Sequence, residues 1–338
     1  MYQYNLRGSL MKYPEIKKVA LYGVGIIGAG WATNLSAKGI AVTMYGRSEE
    51  SLDRARVKVD LNFAGIVSGG LISDSTAIDA KKRIIYTTDA EEALDGVQLV
   101  QESVAERLDV KEETIGTIDK FCGEEVIIGS SSSSMLVSRL AAFSKFPKRC
   151  LCIHPYNPPH LIPLVELVGI PGSEEVVEHI RAFLVSVGKK PVVLSKETKG
   201  YIANRLQVVV GREIVELVKR GVCSVEDCET ALTFGPGLRW AIMGHNLTMQ
   251  LGGGPGGVKG MFEKLVAKGS DRSSYLDDLG NWIKYPDDWP ELAQEGVNEA
   301  LSHRSPQIGI DNNSLAAYRD KMLIEILKLH ENIKLEDS

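Results

Sequence analysis

Short apolar runs alternate with longer stretches of helical period through the first half of the chain. KVALYG (18–23), AVTMYG (41–46), QLVQES (98–103), VIIGS (126–130), CLCIHP (150–155), LVELV (164–168) and PVVLS (191–195) have the length and branching of buried strands. Between the first two lies IIGAGWATNLSAKG (26–39), which reads as a helix, and a second helix follows AVTMYG with Ser48 in position to cap it. Strand–helix alternation of this kind predicts an α/β fold with a doubly wound, largely parallel sheet. The character changes after SKETKG (195–200). YIANRLQVVVGREIVELVKRG (201–221) sets Ile202, Leu206, Val209, Val210, Ile214, Leu217 and Val218 at helical spacing, and from there on helices and loops dominate. The expected organisation is an N-terminal tail over 1–16, a dinucleotide-binding domain over 17–196 and an all-helical domain over 197–338, which would carry the substrate and dimer surfaces.

Composition narrows the partners. The chain has 338 residues, 44% of them hydrophobic, and a net charge of −5, which gives no basic footprint for nucleic acid. The five cysteines, of which only Cys150 and Cys152 lie close together, form neither a zinc pattern nor a disulfide framework. No apolar signal core opens the sequence and no run is long enough to cross a bilayer, so a cytoplasmic location is expected.

Two stretches carry chemistry. GVGIIG places Gly23, Gly25 and Gly28 at the G-x-G-x-x-G interval, directly after a strand and at the start of a helix. In that setting Gly23 makes the turn, Gly25 admits a pyrophosphate, Gly28 lets helix pack on strand, and the backbone at Ile26 and Ile27 faces the anion. GGGPGG (252–257) fits the same pattern, but no strand precedes it, so it reads as a loop. IHPYNPPHLIPLVE (153–166) contains four prolines that suit neither helix nor ladder. They would hold His154 still, while Glu166 falls on the next strand.

Together these stretches resemble the 3-hydroxyacyl-CoA dehydrogenase superfamily, from residue 17 to about 260. VAERLDVK carries that family's cofactor segment, with Glu106 and Lys111 at its acid and base. GSSSSSML matches the catalytic serine segment, with Ser133 at the serine and Ser131 among the cofactor contacts. His154 and Glu166 match the His–Glu pair, twelve positions apart, and KGYIANRL supplies the asparagine as Asn204. The resemblance implies NAD(P)-dependent oxidation of a 3-hydroxyl group, and a homodimer formed through the helical domain. The chemistry agrees. Alcohol oxidation needs a base for the hydroxyl proton, imidazole titrates in the useful range, and a carboxylate on its other nitrogen fixes the tautomer. Ser133 and Asn204 would hydrogen-bond the substrate oxygen. The remaining histidines, His160, His179, His245, His303 and His330, read as ordinary structural or surface residues.

Within the superfamily the chain is similar to the branch of free hydroxy acids that includes L-gulonate 3-dehydrogenase, the λ-crystallins and L-carnitine dehydrogenase. Residues 61–80 contain no Lys or Arg, where the acyl-CoA branch has a lysine-rich helix, and FGPGLRWAIMG (234–244) follows the free-acid pattern. A small hydroxy acid is therefore the expected substrate, with Arg239 as a grip for its carboxylate. The alternatives are a (S)-3-hydroxyacyl-CoA substrate, or a crystallin-like structural protein that keeps a dinucleotide site. Tyr275, Trp282, Tyr285 and Trp289 offer aromatic surface suited to a trimethylammonium group, although clusters of this kind are commonly core or interface. At the end of the second strand, where NAD-specific folds carry an acid, the chain has Gly46 followed by Arg47 and Ser48. The local chemistry leans to NADP, while the family resemblance points to NAD.

Overall fold

The structure is a computed structural model that describes residues 13–265 and 278–332. Among these, eight strands form one sheet: β1 (Lys18–Tyr22), β2 (Ala41–Tyr45), β3 (Ile84–Thr87), β4 (Leu99–Glu102), β5 (Ile127–Ser130), β6 (Cys150–Pro155), β7 (Leu164–Gly169) and β8 (Lys190–Val193). Their order across the sheet is β3-β2-β1-β4-β5-β6-β7-β8, parallel except where β7 runs antiparallel to β6. The winding reverses between β1 and β4, the point at which open α/β sheets bind ligands at the carboxyl ends of their strands. The edge strand β3 lies outside the runs that the sequence pattern picks out.

The helices α1 (Ile26–Ala37), α2 (Glu49–Ser68), α3 (Asp74–Lys82), α4 (Ala90–Leu94), α5 (Leu108–Phe121), α6 (Val137–Ala141) and α7 (Glu174–Ser186) cover the two faces of this sheet. Alternation along β1 shows why both faces need covering. Val19 and Leu21 enter one core with Trp31, Leu35, Phe63 and Ile180, whereas Ala20 and Tyr22 enter another with Val100, Ile115 and Ile118. A strand buried on both faces is largely apolar, and the run from Val19 to Tyr22 is readable for that reason. Ser48 caps α2 as expected, exchanging hydrogen bonds with Ser51 in a capping box.

The second half contributes α8 (Ala203–Lys219), α9 (Val225–Phe234), α10 (Pro236–Gly252), α11 (Gly257–Leu265), α12 (Trp289–Ser302) and α13 (Asn312–Asn332). Gly244, at φ +71°, breaks α10 near its middle. GGGPGG forms the end of α10 and a short 3₁₀ turn leading into α11, with no strand before it. The chain divides into two compact units, one ending at Ile202 and regaining the residues from Arg319 onward, the other Ala203–Tyr318. This differs from the division expected at 17–196 and 197–338. The cause is Ile324 on α13, which is 3% exposed and packs so closely on Gly69 that a Cβ there would lie 2.5 Å from its Cδ1. Part of the expected tail over 1–16 falls within the described residues. Tyr13 and Ile16 are buried in the first core, and residues 1–12 lie outside the described chain.

Candidate active site

The hairpin of β6 and β7 sets His154 directly opposite Glu166 in the antiparallel register. Side chains opposed in this way share one face of the sheet. His154 Nδ1 lies 2.9 Å from Glu166 Oε2, with His154 7% and Glu166 1% exposed. Between the two strands, Pro158 and Pro159 are buried in the connecting turn, whose carbonyls at Pro159 and Ile162 accept hydrogen bonds from the buried Lys189 ammonium. An imidazole bonded to a carboxylate through Nδ1 has its tautomer fixed and its protonated form stabilised. The backbone N–H of Ile202 donates to the other carboxylate oxygen, Oε1, at 2.7 Å. Tyr201, 1% exposed, lays its ring 5.1 Å from the His154 ring, centroid to centroid. Neither of these last two features was expected from the sequence; a glycine at 200 is the one local hint of an unusual backbone.

The serine run follows β5. Ser133 is half-buried, and its hydroxyl has no hydrogen-bond partner among the described residues, so it is free to meet a ligand. Its neighbours are engaged. Ser131 Oγ accepts from Gln101 Nε2 at 2.7 Å and lies 2.8 Å from Ser103 Oγ, while the same Gln101 amide donates to the carbonyl of Ile153, beside His154. Ser132 and Ser134 donate to Glu106. Burial pushes the Glu106 carboxyl up, but the hydroxyls of Ser132 and Ser134, the Lys111 charge and the Ser134 amide outweigh it and bring it down to about 2. Glu106 is therefore an anion with its side chain 40% exposed, a group that can accept from a ligand.

Lys111, expected as a cofactor contact, is buried in the structure. It is 1% exposed and bonded to both oxygens of the equally buried Glu102, at 2.8 and 2.9 Å, with Glu106 at 3.2 Å. It holds the cofactor segment from inside. The charge-rich stretch ERLDVKEE (106–113) reads by default as a solvated helix face, and only the fold reveals that Lys111 points inward.

The glycine loop has the space that its sequence implies. A Cβ on Gly23 would strike the carbonyl of Ser103 at 2.4 Å, and one on Gly28 would strike the carbonyl of Gly23 at 1.9 Å. A Cβ on Gly25 would meet nothing within 4 Å. Gly23 and Gly28 are thus required by close backbone packing, and Gly25 leaves an open approach. Gly25 is the N-cap of α1 and supplies no side-chain cap, so the first amides of α1, beginning at Ile26 and Ile27, remain available to an anion. These residues fit a dinucleotide pyrophosphate. At the end of β2, Gly46 is buried against Leu52 and Ser51, Arg47 is exposed, and the Ser48 hydroxyl accepts the Ser51 amide.

Asn204 and Arg239 belong to the other unit. Asn204 is the second residue of α8 and half-buried, and Arg239 is exposed in the first turn of α10 with no ion-pair partner among the described residues. Of the aromatic candidates Tyr275 lies outside the described residues, while Trp282 and Trp289 are partly buried and Tyr285 is 43% exposed.

A parallel sheet with a glycine turn at its switch point, and a His–Glu pair across the neighbouring hairpin, define a nicotinamide-dependent dehydrogenase. The family model for the 3-hydroxyacyl-CoA dehydrogenase NAD binding domain matches residues 18–198, and that for the C-terminal domain matches 200–287. The chain belongs to the 3-hydroxyacyl-CoA dehydrogenase family. It is 33% identical over 324 residues to an L-carnitine dehydrogenase of Bacillus cereus, covering 94% of this chain and 93% of that protein. It is 35% identical over 319 residues to a 3-hydroxyacyl-CoA dehydrogenase of Gibberella moniliformis, covering 93% and 94%. Among solved structures it is similar to 5-formyl-3-hydroxy-2-methylpyridine 4-carboxylic acid 5-dehydrogenase, an NAD+-dependent dismutase, with a TM-score of 0.77, 27% identity and coverage of 94% and 99%. The protein is an oxidoreductase of the dehydrogenase type, with NAD as the cofactor that its N-terminal domain supports. No helix among the described residues is long and apolar enough to cross a membrane.

Proposed function

We propose that the protein oxidises the 3-hydroxyl of a small free hydroxy acid resembling L-carnitine, or reduces the corresponding 3-oxo acid. The observation that carries the reading is the buried His154–Glu166 pair, whose hydrogen bond leaves the far imidazole nitrogen to take a hydroxyl proton. The bound nicotinamide supplies the hydride acceptor. Glu166 orients the ring, and the Ser133 hydroxyl, unpartnered among the described residues, hydrogen-bonds the substrate oxygen as its charge changes. The choice of a free acid draws support from the L-carnitine dehydrogenase relatives, from the absence of basic residues over 61–80, and from the exposed Arg239 as a carboxylate partner. Initial rates with L-carnitine, other free 3-hydroxy acids and 3-hydroxybutyryl-CoA, each with NAD+, test it. A kcat/KM for one of the free acids at least tenfold above the thioester is expected; the reverse ratio overturns the free-acid reading and favours the acyl-CoA one.

Two finer points belong to the same proposal. The preference between dinucleotides leans to NADP, because β2 ends without a carboxylate and Arg47 stands exposed beside that end. kcat/KM with both cofactors tests this, a tenfold NAD advantage rules it out, and Arg47→Ala is expected to weaken NADP use selectively. Gly46→Asp is a poor converse test, since a Cβ there meets Leu52 Cδ2 at 2.6 Å. A homodimer through the helical unit draws support from Leu206 and Val209 on α8 and Leu247 and Leu251 on α10, each at least 60% exposed.

A further inference from the structure

Tyr201 is the one non-glycine residue with positive φ among the described residues, at +45°. A bulky aromatic side chain rarely adopts this conformation, because Cβ crowds the following carbonyl. Backbone strain of this kind persists only where the surroundings enforce it, and it concentrates at functional sites. The surroundings here are specific. The Tyr201 ring is 1% exposed in a small core with Val137, Cys152 and Val168, and its hydroxyl lies 3.4 Å from the Met135 carbonyl. Gly200, itself at φ +75°, donates its N–H to the Ser133 carbonyl at 3.1 Å. The turn therefore rests on the serine segment on one side and against the His154 ring on the other. Its product is the direction of the next amide. Ile202 N–H points at Glu166 Oε1, 2.7 Å away, while Glu166 Oε2 holds His154. The carboxylate is held at both oxygens, and the Ile202 donor is aimed by the left-handed backbone at residue 201.

We infer that Tyr201 is a positioning residue: its buried ring anchors a strained backbone turn that aims the Ile202 amide at Glu166 and so fixes the carboxylate that orients His154. The inference rests on the reading of His154 and Glu166 given above. It separates two contributions of one side chain. The ring anchors the turn, and the Cβ strains it. Alanine loses the anchor and keeps the strain, so the turn relaxes and the Ile202 donor swings away. Glycine loses the anchor and the strain together, so the left-handed turn persists without cost. A role limited to filling space gives the opposite ranking, because glycine leaves the larger void and the more flexible chain.

The test is the pH profile of kcat/KM for alcohol oxidation in Tyr201→Phe, Tyr201→Ala and Tyr201→Gly, with NADH binding measured in each to show that the dinucleotide domain is folded and His154→Gln run in parallel. The expected result for Tyr201→Ala is a fall in kcat of about tenfold, with the midpoint of the acidic limb lowered by roughly half a pH unit or more as Glu166 supports the protonated ring less well. KM for the dinucleotide stays within about twofold, because the glycine loop is untouched. Tyr201→Phe restores the profile, and Tyr201→Gly recovers most of the rate and an unmoved midpoint. Equal losses in the alanine and glycine variants, or an unmoved midpoint in a folded alanine variant, overturn the inference. Should Tyr201→Ala fail to bind NADH, the glycine variant decides alone: an unmoved midpoint supports the inference and a lowered one overturns it. Near-normal turnover in His154→Gln removes the base itself and this inference with it. Loss of turnover there, with alanine and glycine alike, removes only the role of Tyr201.

Discussion

An ammonium group with 1% of its surface exposed has to be matched inside the protein, and Lys111 is matched by Glu102 and Glu106. Ser130 Oγ and the Val104 amide complete the bonds to Glu102. Removing one member of such a network leaves an uncompensated buried charge. Lys111→Met is accordingly expected to lower the free energy of unfolding by about 3–5 kcal/mol, and pairing it with Glu102→Leu to recover part of that loss. Chemical denaturation of the single and double variants checks this. A change in NADH affinity at unaltered stability would instead support the cofactor contact expected of Lys111. The sequence made His154 and Glu166 legible because their interval of twelve matches the family's His–Glu pair and both residue types serve proton transfer. It could not reveal that Lys111 faces inward, since a charge-rich helix looks the same whichever way one lysine points. The φ of Tyr201 was equally hidden, because tertiary packing enforces it against the residue's own preference.

At the scale of elements, the turn from β1 into α1 separates two roles of glycine. Gly28 cannot carry a Cβ without moving the Gly23 carbonyl, which would lie 1.9 Å away, while Gly25 has an ordinary φ of −75° and open space around it. Gly28→Ala should therefore cost about 1–3 kcal/mol of stability, the usual penalty of overpacking, and weaken NADH binding as well. Gly25→Ala should leave the melting temperature unchanged and weaken NADH binding alone, by tenfold or more. Thermal melts with NADH titrations distinguish the two, and normal binding by Gly25→Ala contradicts the reading of this loop. Strands buried on both faces were legible because most of their positions are apolar. β3 was not: Ile85 is 50% exposed, and four residues at a sheet edge give too short a pattern to separate from a loop.

For the whole molecule, the return of α13 to the first unit escaped the sequence because its apolar residues mark no partner, and Ile324 finds one only in the folded chain. That region also governs part of the response to acid. Burial holds His160 down from its ordinary 6.5 to about 4, with Asp320 acting upward and Lys189 and Arg319 downward, and its Nδ1 has no hydrogen-bond partner among the described residues. The folded state keeps this ring neutral, so as the pH falls the unfolded chain takes up the proton first. Stability from His160 is present above about pH 6.5 and is lost progressively towards pH 4. Burial lowers His179 in the same sense, whereas the exposed His303 is raised by Glu226 and acts in the opposite one. Melting temperatures at pH 6.5 and 5, above the range in which carboxylates protonate, should fall less for His160→Asn than for the unaltered protein. An equal fall in both contradicts the assignment.

The buried imidazole of His154 is proposed to take the proton when the 3-hydroxyl is oxidised. The most direct measurement is kcat for the best free hydroxy acid in His154→Gln, with NADH affinity measured on the same sample. Loss of a general base predicts a fall of about two to four orders of magnitude in kcat with NADH affinity unchanged. Turnover within about threefold of the unaltered protein contradicts it, because the imidazole that is said to take the proton would be absent.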